Sequence, residues 1–136
     1  MAKYNQLLRI TVEAPTAEAK CRGIVQLLLV FAERNPGFAR LLVGDALQGE
    51  NERLRGRTRQ LFDRLETELR TVLRTWAAQQ VPAPAVSAND MANLMLAHTE
   101  GRINQFVRSE FSAKPTQGWE AQWQALARGL FGDGVL

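Results

Sequence analysis

Apolar residues recur at three- and four-residue spacing through most of the chain, and no alternating run bounded by turn residues interrupts them, so the pattern predicts an all-α fold. Tyr4, Leu7, Leu8 and Val12 mark a first helix that is under way by about residue 3 with no Ser, Thr, Asp or Asn before it, and it reads as a helix cut partway along. Pro15 ends it. Thr16 is placed to cap a second helix running to about Arg34, with Glu18 in the first turn beside the positive end of the helix dipole. The centre of that helix, Ile24 to Phe31, is apolar on nearly all sides. Such a helix has to be enclosed by others, because a surface helix keeps a polar face.

Asn35-Pro36-Gly37 separates this helix from a third: Asn35 is a capping residue type, Pro36 suits the first helical position, and the residue before a proline is disfavoured in a helix interior. The segment from Pro36 to about Leu47 offers Phe38, Leu41, Leu42 and Ala46 to one face and is closed by Gly49. The longest helix is expected from about Glu50 to Gln79. There Leu54, Thr58, Leu61, Leu65, Leu69, Val72 and Trp76 form one stripe on a rod of about 45 Å. Val81-Pro82-Ala83-Pro84-Ala85 cannot continue it and reads as a stiff connection inside one domain. Ser87 followed by Asp90 resembles a capping box for a helix from Ala88 to about Phe111. Pro115-Thr116 precedes a last helix, about Gln117 to Phe131, on which Trp119, Trp123, Leu126 and Leu130 make a narrow apolar seam. Six helices of unequal length and no internal repeat predict an irregular bundle rather than a solenoid.

A length of 136 residues fits a single domain spanning the chain, and one cysteine excludes a disulfide framework and the cysteine-rich zinc patterns. No apolar run reaches a membrane-spanning length and the N-terminus has no secretory signal, so a cytoplasmic chain without a membrane partner is expected. The net charge of +3 is weak evidence for a polyanion partner. The distribution says more: Lys3, Lys20 and Lys114 are the only lysines among 17 basic residues, and Arg53, Arg55, Arg57 and Arg59 crowd together. Residues two apart on a helix point about 200° apart, so the four do not make a single stripe by themselves. A solvated helix end with ion pairs is favoured over a nucleic-acid contact.

Catalysis by nucleophile or by general acid and base needs a positioned pair, and the chain offers one His98 and one Cys21 on different helices. Both read better as buried filler. No metal cluster and no phosphate-binding loop is present, so neither a cofactor nor an enzymatic activity is expected. The tryptophan seam has two readings, as cover for the chain's own core or as a contact with the same helix of a second subunit.

The segment Phe31-Ala32-Glu33-Arg34-Asn35-Pro36-Gly37 resembles the SlmA family of nucleoid occlusion factors, which are TetR-type regulators. So do Glu100-Gly101, Phe106-Val107-Arg108-Ser109-Glu110-Phe111, Lys114-Pro115-Thr116 and Trp123. The likeness runs from about Arg9 to Leu126 and covers only the C-terminal dimerisation and effector domain. It implies a nucleoid-associated parent protein that binds DNA through an N-terminal helix-turn-helix module lying outside this chain and that opposes ring assembly by the division protein FtsZ. It further implies that the FtsZ C-terminal tail docks at positions matching Leu27, Arg34 and Asn35, with Arg9 as a further counterpart. An apolar trough beside an arginine suits an acidic-hydrophobic peptide. Val30 stands where relatives often carry glycine and fills part of that trough. The resemblance also places the last two helices in a four-helix homodimer bundle, with Phe106, Trp119, Trp123, Leu126 and Leu130 at the interface. The alternative is a TetR-type small-molecule sensor with a pocket near Leu28, Phe62, Met95 and His98, against which the mainly aliphatic lining speaks.

Overall fold

Five α-helices carry the residues described by the computed structural model, 13–43 and 51–132, and no strand occurs among them. They are α1 (Ala17–Arg34), α2 (Pro36–Leu42), α3 (Asn51–Ala78), α4 (Ala88–Arg108) and α5 (Trp119–Phe131). The helix expected before Pro15, the closing Gly49 and the tail from Asp133 lie outside the described residues.

The apolar centre of α1 has the consequence its composition demands: α1 touches each of the other four helices, and no residue from Ala17 to Glu33 is exposed. Thr16 starts it as expected, its Oγ1 accepting the Ala19 amide at 3.0 Å. Cys21, Ile24, Val25, Leu28, Leu29 and Ala32 line its fully buried side. On α3 the anticipated stripe is seen from Thr58 through Leu61, Leu65 and Leu69 to Val72, with Leu73 also buried. Half-buried Trp76 meets Phe131 edge-on at 4.9 Å, which ties the end of α3 to the end of α5.

Three helix ends differ from the sequence reading, each for a local reason. Helix α2 stops at Leu42, short of the expected Leu47, where Val43 takes a turn conformation and its N–H reaches the carbonyls of Ala39 and Leu41. Helix α4 stops at Arg108 instead of Phe111, because Glu110 and Phe111 both adopt positive φ, 56° and 68°. The ending is a Schellman motif built without glycine. The Phe111 N–H returns to the Phe106 carbonyl at 2.7 Å, the Glu110 N–H to that of Val107 at 3.1 Å, and the two phenyl rings meet edge-on at 5.1 Å. Helix α5 starts at Trp119, after Gly118 in the left-handed region at φ 74°.

The connection between α4 and α5 is clasped by one guanidinium. Arg102 donates to the carbonyls of Lys114 at 2.8 Å, Gln117 at 2.9 Å and Pro115 at 3.3 Å. Its Nη1 bonds Gln105 at 2.9 Å, which sets the fork. Three backbone acceptors that no helix satisfies thus find a donor, and α5 is held at a fixed place against α1 and α4.

Candidate functional site

Leu27, Phe31 and Arg34 stand at offsets 0, 4 and 7 on α1, within a sector of about 60° and over about 10 Å of helix. Leu27 and Phe31 are half-buried at the edge of the core, and Arg34 is exposed at the end. Phe31 is braced edge-on by Phe38 of α2 at 4.6 Å. This face offers a half-covered apolar strip ending in a cation, and Arg34 makes no ion pair with another described residue.

Asn35 differs from its expected role. It does not cap α2 with its side chain. Its Nδ2 donates back to the Phe31 carbonyl at 2.8 Å and its backbone N–H to that of Ala32 at 3.2 Å, so the residue closes α1. Asn35 and the neighbouring Arg34 are both exposed. Arg9 lies outside the described residues.

Several contacts that position this strip were not singled out by sequence reasoning. Glu33, beside Arg34, accepts two bonds from Thr116 in the α4–α5 connection. At the other end of α1, Glu18 accepts the indole N–H of Trp123 at 2.5 Å, and Arg22 pairs with Glu120 while lying 6.0 Å over the Trp119 ring. The partners are 83 to 105 residues apart, and no local pattern announces them.

The seam residues divide. Phe106 and Trp123 are 0% and 1% exposed, and Trp119 and Leu130 are nearly as covered, so in the single chain they are core. Leu126 is half-buried, and Ala127 takes the buried place beside it. The outward side of α4 instead carries Leu94, 45% exposed, followed at offsets 3 and 7 by exposed Ala97 and Gly101, while Ala121 and Ala125 are exposed on α5. Nothing lies within 4 Å of where a Cβ on Gly101 would sit. These small residues recur at helical spacing opposite the buried Thr99–Ile103 side, which is the signal that would have found them.

Cys21 and His98 show no catalytic environment. Burial pushes the Cys21 thiol up to about 12, with Glu18 adding to the rise and Lys20 opposing it, so no thiolate forms near neutrality. Burial and then the Arg102 charge hold His98 below the usual imidazole range, and its Nε2 has no hydrogen-bond partner. Among the described residues no group of His, Cys, Asp or Glu could hold a metal ion, and no helix is long and apolar enough to cross a membrane. A groove of about 300 Å³ lies between α2, α3 and α4, with Leu42, Thr58, Glu100 and Ile103 among its walls. It shares only Phe62 with the anticipated sensor pocket, since Leu28 and Met95 are fully buried in the packed core.

A family model described as a tetracycline repressor-like C-terminal domain of the SlmA-like type matches residues 17–131. The chain is 51% identical over 111 residues to the nucleoid occlusion factor SlmA of Shewanella pealeana, covering 82% of this chain and 56% of that protein. It is 46% identical over 112 residues to the SlmA of Idiomarina loihiensis, covering 82% and 57%. The SlmA of a Marinomonas species is 46% identical over 127 residues, covering 93% and 64%. The chain thus spans somewhat more than half the length of the curated relatives it matches.

Proposed function

Because the chain belongs to the SlmA-like family of tetracycline repressor-like C-terminal domains, we propose that it is the dimerisation and partner-docking domain of a nucleoid occlusion factor. Its relatives carry that name. In this reading the FtsZ C-terminal tail docks on α1 and the domain pairs through α4 and α5. The reading of specific DNA sites is left to a helix-turn-helix module outside these residues, and the parent works on the nucleoid in the cytoplasm without chemistry of its own.

The observation that carries the reading is the strip of Leu27 and Phe31 ending in exposed Arg34, with Asn35 beside it. A peptide with apolar side chains and carboxylates would lay the former on the half-covered strip and bring the latter to the guanidinium, which accepts a carboxylate in two parallel hydrogen bonds. The bond from Thr116 to Glu33 holds the last turn of α1 in place, so little ordering remains to be done on binding. On α4, exposed Leu94, Ala97 and Gly101 offer a face on which a second copy of α4 approaches closely about a twofold axis, with half-buried Leu126 available from α5. Phe106, Trp119, Trp123 and Leu130 support that face from within the core.

The test is a titration of a labelled FtsZ tail peptide with this chain, read by anisotropy, beside Arg34→Ala and a scrambled peptide. Saturable binding that Arg34→Ala weakens by at least about tenfold, equivalent to about 1.4 kcal/mol, supports the docking site. Equal binding of the scrambled peptide, or an unchanged affinity in the variant, sinks it.

A further inference from the structure

The arginine-rich start of α3 is not used by the tail or by the dimer face. The four arginines two apart do not share a side, but α3 continues unbroken from Asn51 to Ala78, and that length assembles a stripe the short run could not. At about 100° per residue, Arg53, Arg57 and Arg64 fall within about 40° of one another, and Thr67, Thr71 and Thr75 continue the same line. Every one of these side chains is exposed. The stripe is about 33 Å long, and the sector of about 80° that contains it holds no carboxylate and no aromatic ring. Glu66 is paired with Arg70 on one flank, where Asp63 also lies, and Glu68 borders the other flank one turn beyond Arg64, so the carboxylates of this helix stand outside the sector.

We infer that this outer face of α3 is a contact surface for the phosphate backbone of duplex DNA, without base readout. The inference goes beyond the docking reading and does not depend on it. Three considerations select this occupant. Arginine guanidinium groups, with Thr71 and Thr75 hydroxyls in line, are the donor types that hold phosphates in register on a duplex. The Thr67 hydroxyl is already given to the Asp63 carbonyl at 2.9 Å and takes no part. The length is about that of one duplex turn, roughly 34 to 36 Å. A single strand would want aromatic platforms for its bases, and a lipid surface would want an apolar flank to insert, and the stripe supplies neither. The like-charged neighbours Arg53 and Arg57, one turn apart and mutually repulsive in the free chain, are relieved when an anionic backbone lies across them.

The test uses this chain with a labelled duplex of random sequence about 30 base pairs long, at salt from about 50 to 200 mM, because non-specific affinities of about 10⁻⁴ to 10⁻⁶ M are strongly salt-dependent. Three phosphate contacts at a slope of about −0.9 each lower the affinity about 40-fold over that range. The triple variant Arg53→Gln/Arg57→Gln/Arg64→Gln, all exposed helix positions, is expected to keep the wild-type circular dichroism and lose both the binding and the salt slope. Arg108→Gln, exposed on another helix, is expected to keep both. Phosphatidylglycerol vesicles at equal phosphate concentration are the second ligand, with weaker binding expected. No binding at about 100 μM protein in the lowest salt, where contacts of this kind are strongest, overturns the inference. So does binding that survives the triple substitution, or equal or tighter binding to vesicles.

Discussion

One carboxylate oxygen, Oε1 of Glu33, accepts both the Thr116 hydroxyl at 2.7 Å and the Thr116 backbone N–H at 3.2 Å. The residue next to the exposed Arg34 is thereby anchored to the connection between α4 and α5, and Arg102 clasps that same connection from the other side. The end of α1 and the start of α5 are one mechanical unit. A loss at Glu33 therefore acts on Arg34 through position, without touching its charge.

Glu33→Ala leaves two part-buried donors of Thr116 without an acceptor, which costs about 1 to 3 kcal/mol. For a domain of this size that corresponds to a fall in melting temperature of about 4 °C per kcal/mol. Glu33→Gln keeps an acceptor and is expected to lose less. A double-mutant cycle with Thr116→Val, measured by urea unfolding, should return a coupling of about 1 kcal/mol, and strict additivity would show that the pair contributes nothing.

Gly101 tests the proposed pairing through α4. Its outer side is open, so a long side chain meets no atom of its own chain, and replacing a helical glycine gains up to about 1 kcal/mol of helix propensity. Gly101→Arg is expected to fold with unchanged helicity and run at the monomer mass in sedimentation equilibrium while the wild type runs as a dimer. A dimeric Gly101→Arg chain would remove α4 from the interface.

The elements were legible where the cause was local. The cap at Thr16, the cap at Ser87 and the enclosure of α1 follow from residues within a few positions of one another, and the structure shows all three. The early end of α4 was not legible. Helices that close in a left-handed turn usually do so on glycine, and here Glu110 and Phe111 take that conformation with the Phe106–Phe111 ring contact beside them. The bonds that position the candidate site, Glu33 to Thr116 and Trp123 to Glu18, join segments far apart in sequence and are set by packing alone. The tryptophan seam was visible as a seam, but its side chains turned out to face the chain's own core, and the outer face of α4 is made of residues too small to stand out.

His98 gives the domain a pH dependence on the acid side. Burial and Arg102 hold its folded-state value below the ordinary 6.5, so as pH falls the unfolded chain takes up the proton first and stability drops until the folded imidazole also titrates. Trp119 packs on the ring at 6.4 Å and supplies no acceptor to oppose this. The urea midpoint of the wild type is expected to fall further between about pH 7.5 and 5.5 than that of His98→Gln, that interval lying across the unfolded value. Parallel declines would show that the imidazole titrates alike in both states.

Cys21 acts on the alkaline side. It is wholly enclosed, among Ile24, Val25 and the rest of the buried α1 face, and its thiol is raised from 9.0 to about 12. Below about pH 9 the thiol is protonated in both states and contributes no pH dependence; above it the unfolded chain ionises while the folded one does not. Stability therefore falls with rising pH, by about 1.4 kcal/mol per unit, until the folded thiol itself ionises. Lysine and tyrosine titrations contribute in wild type and variant alike, so the informative quantity is the difference from Cys21→Ala. That difference should be constant up to about pH 8.5 and then shift steadily in favour of the variant, as the unfolded thiol passes its ordinary range. A thiol-reactive reporter gives the independent reading: modification at neutral pH should proceed only as fast as the chain opens, and rapid labelling of the folded protein would contradict the enclosure of Cys21.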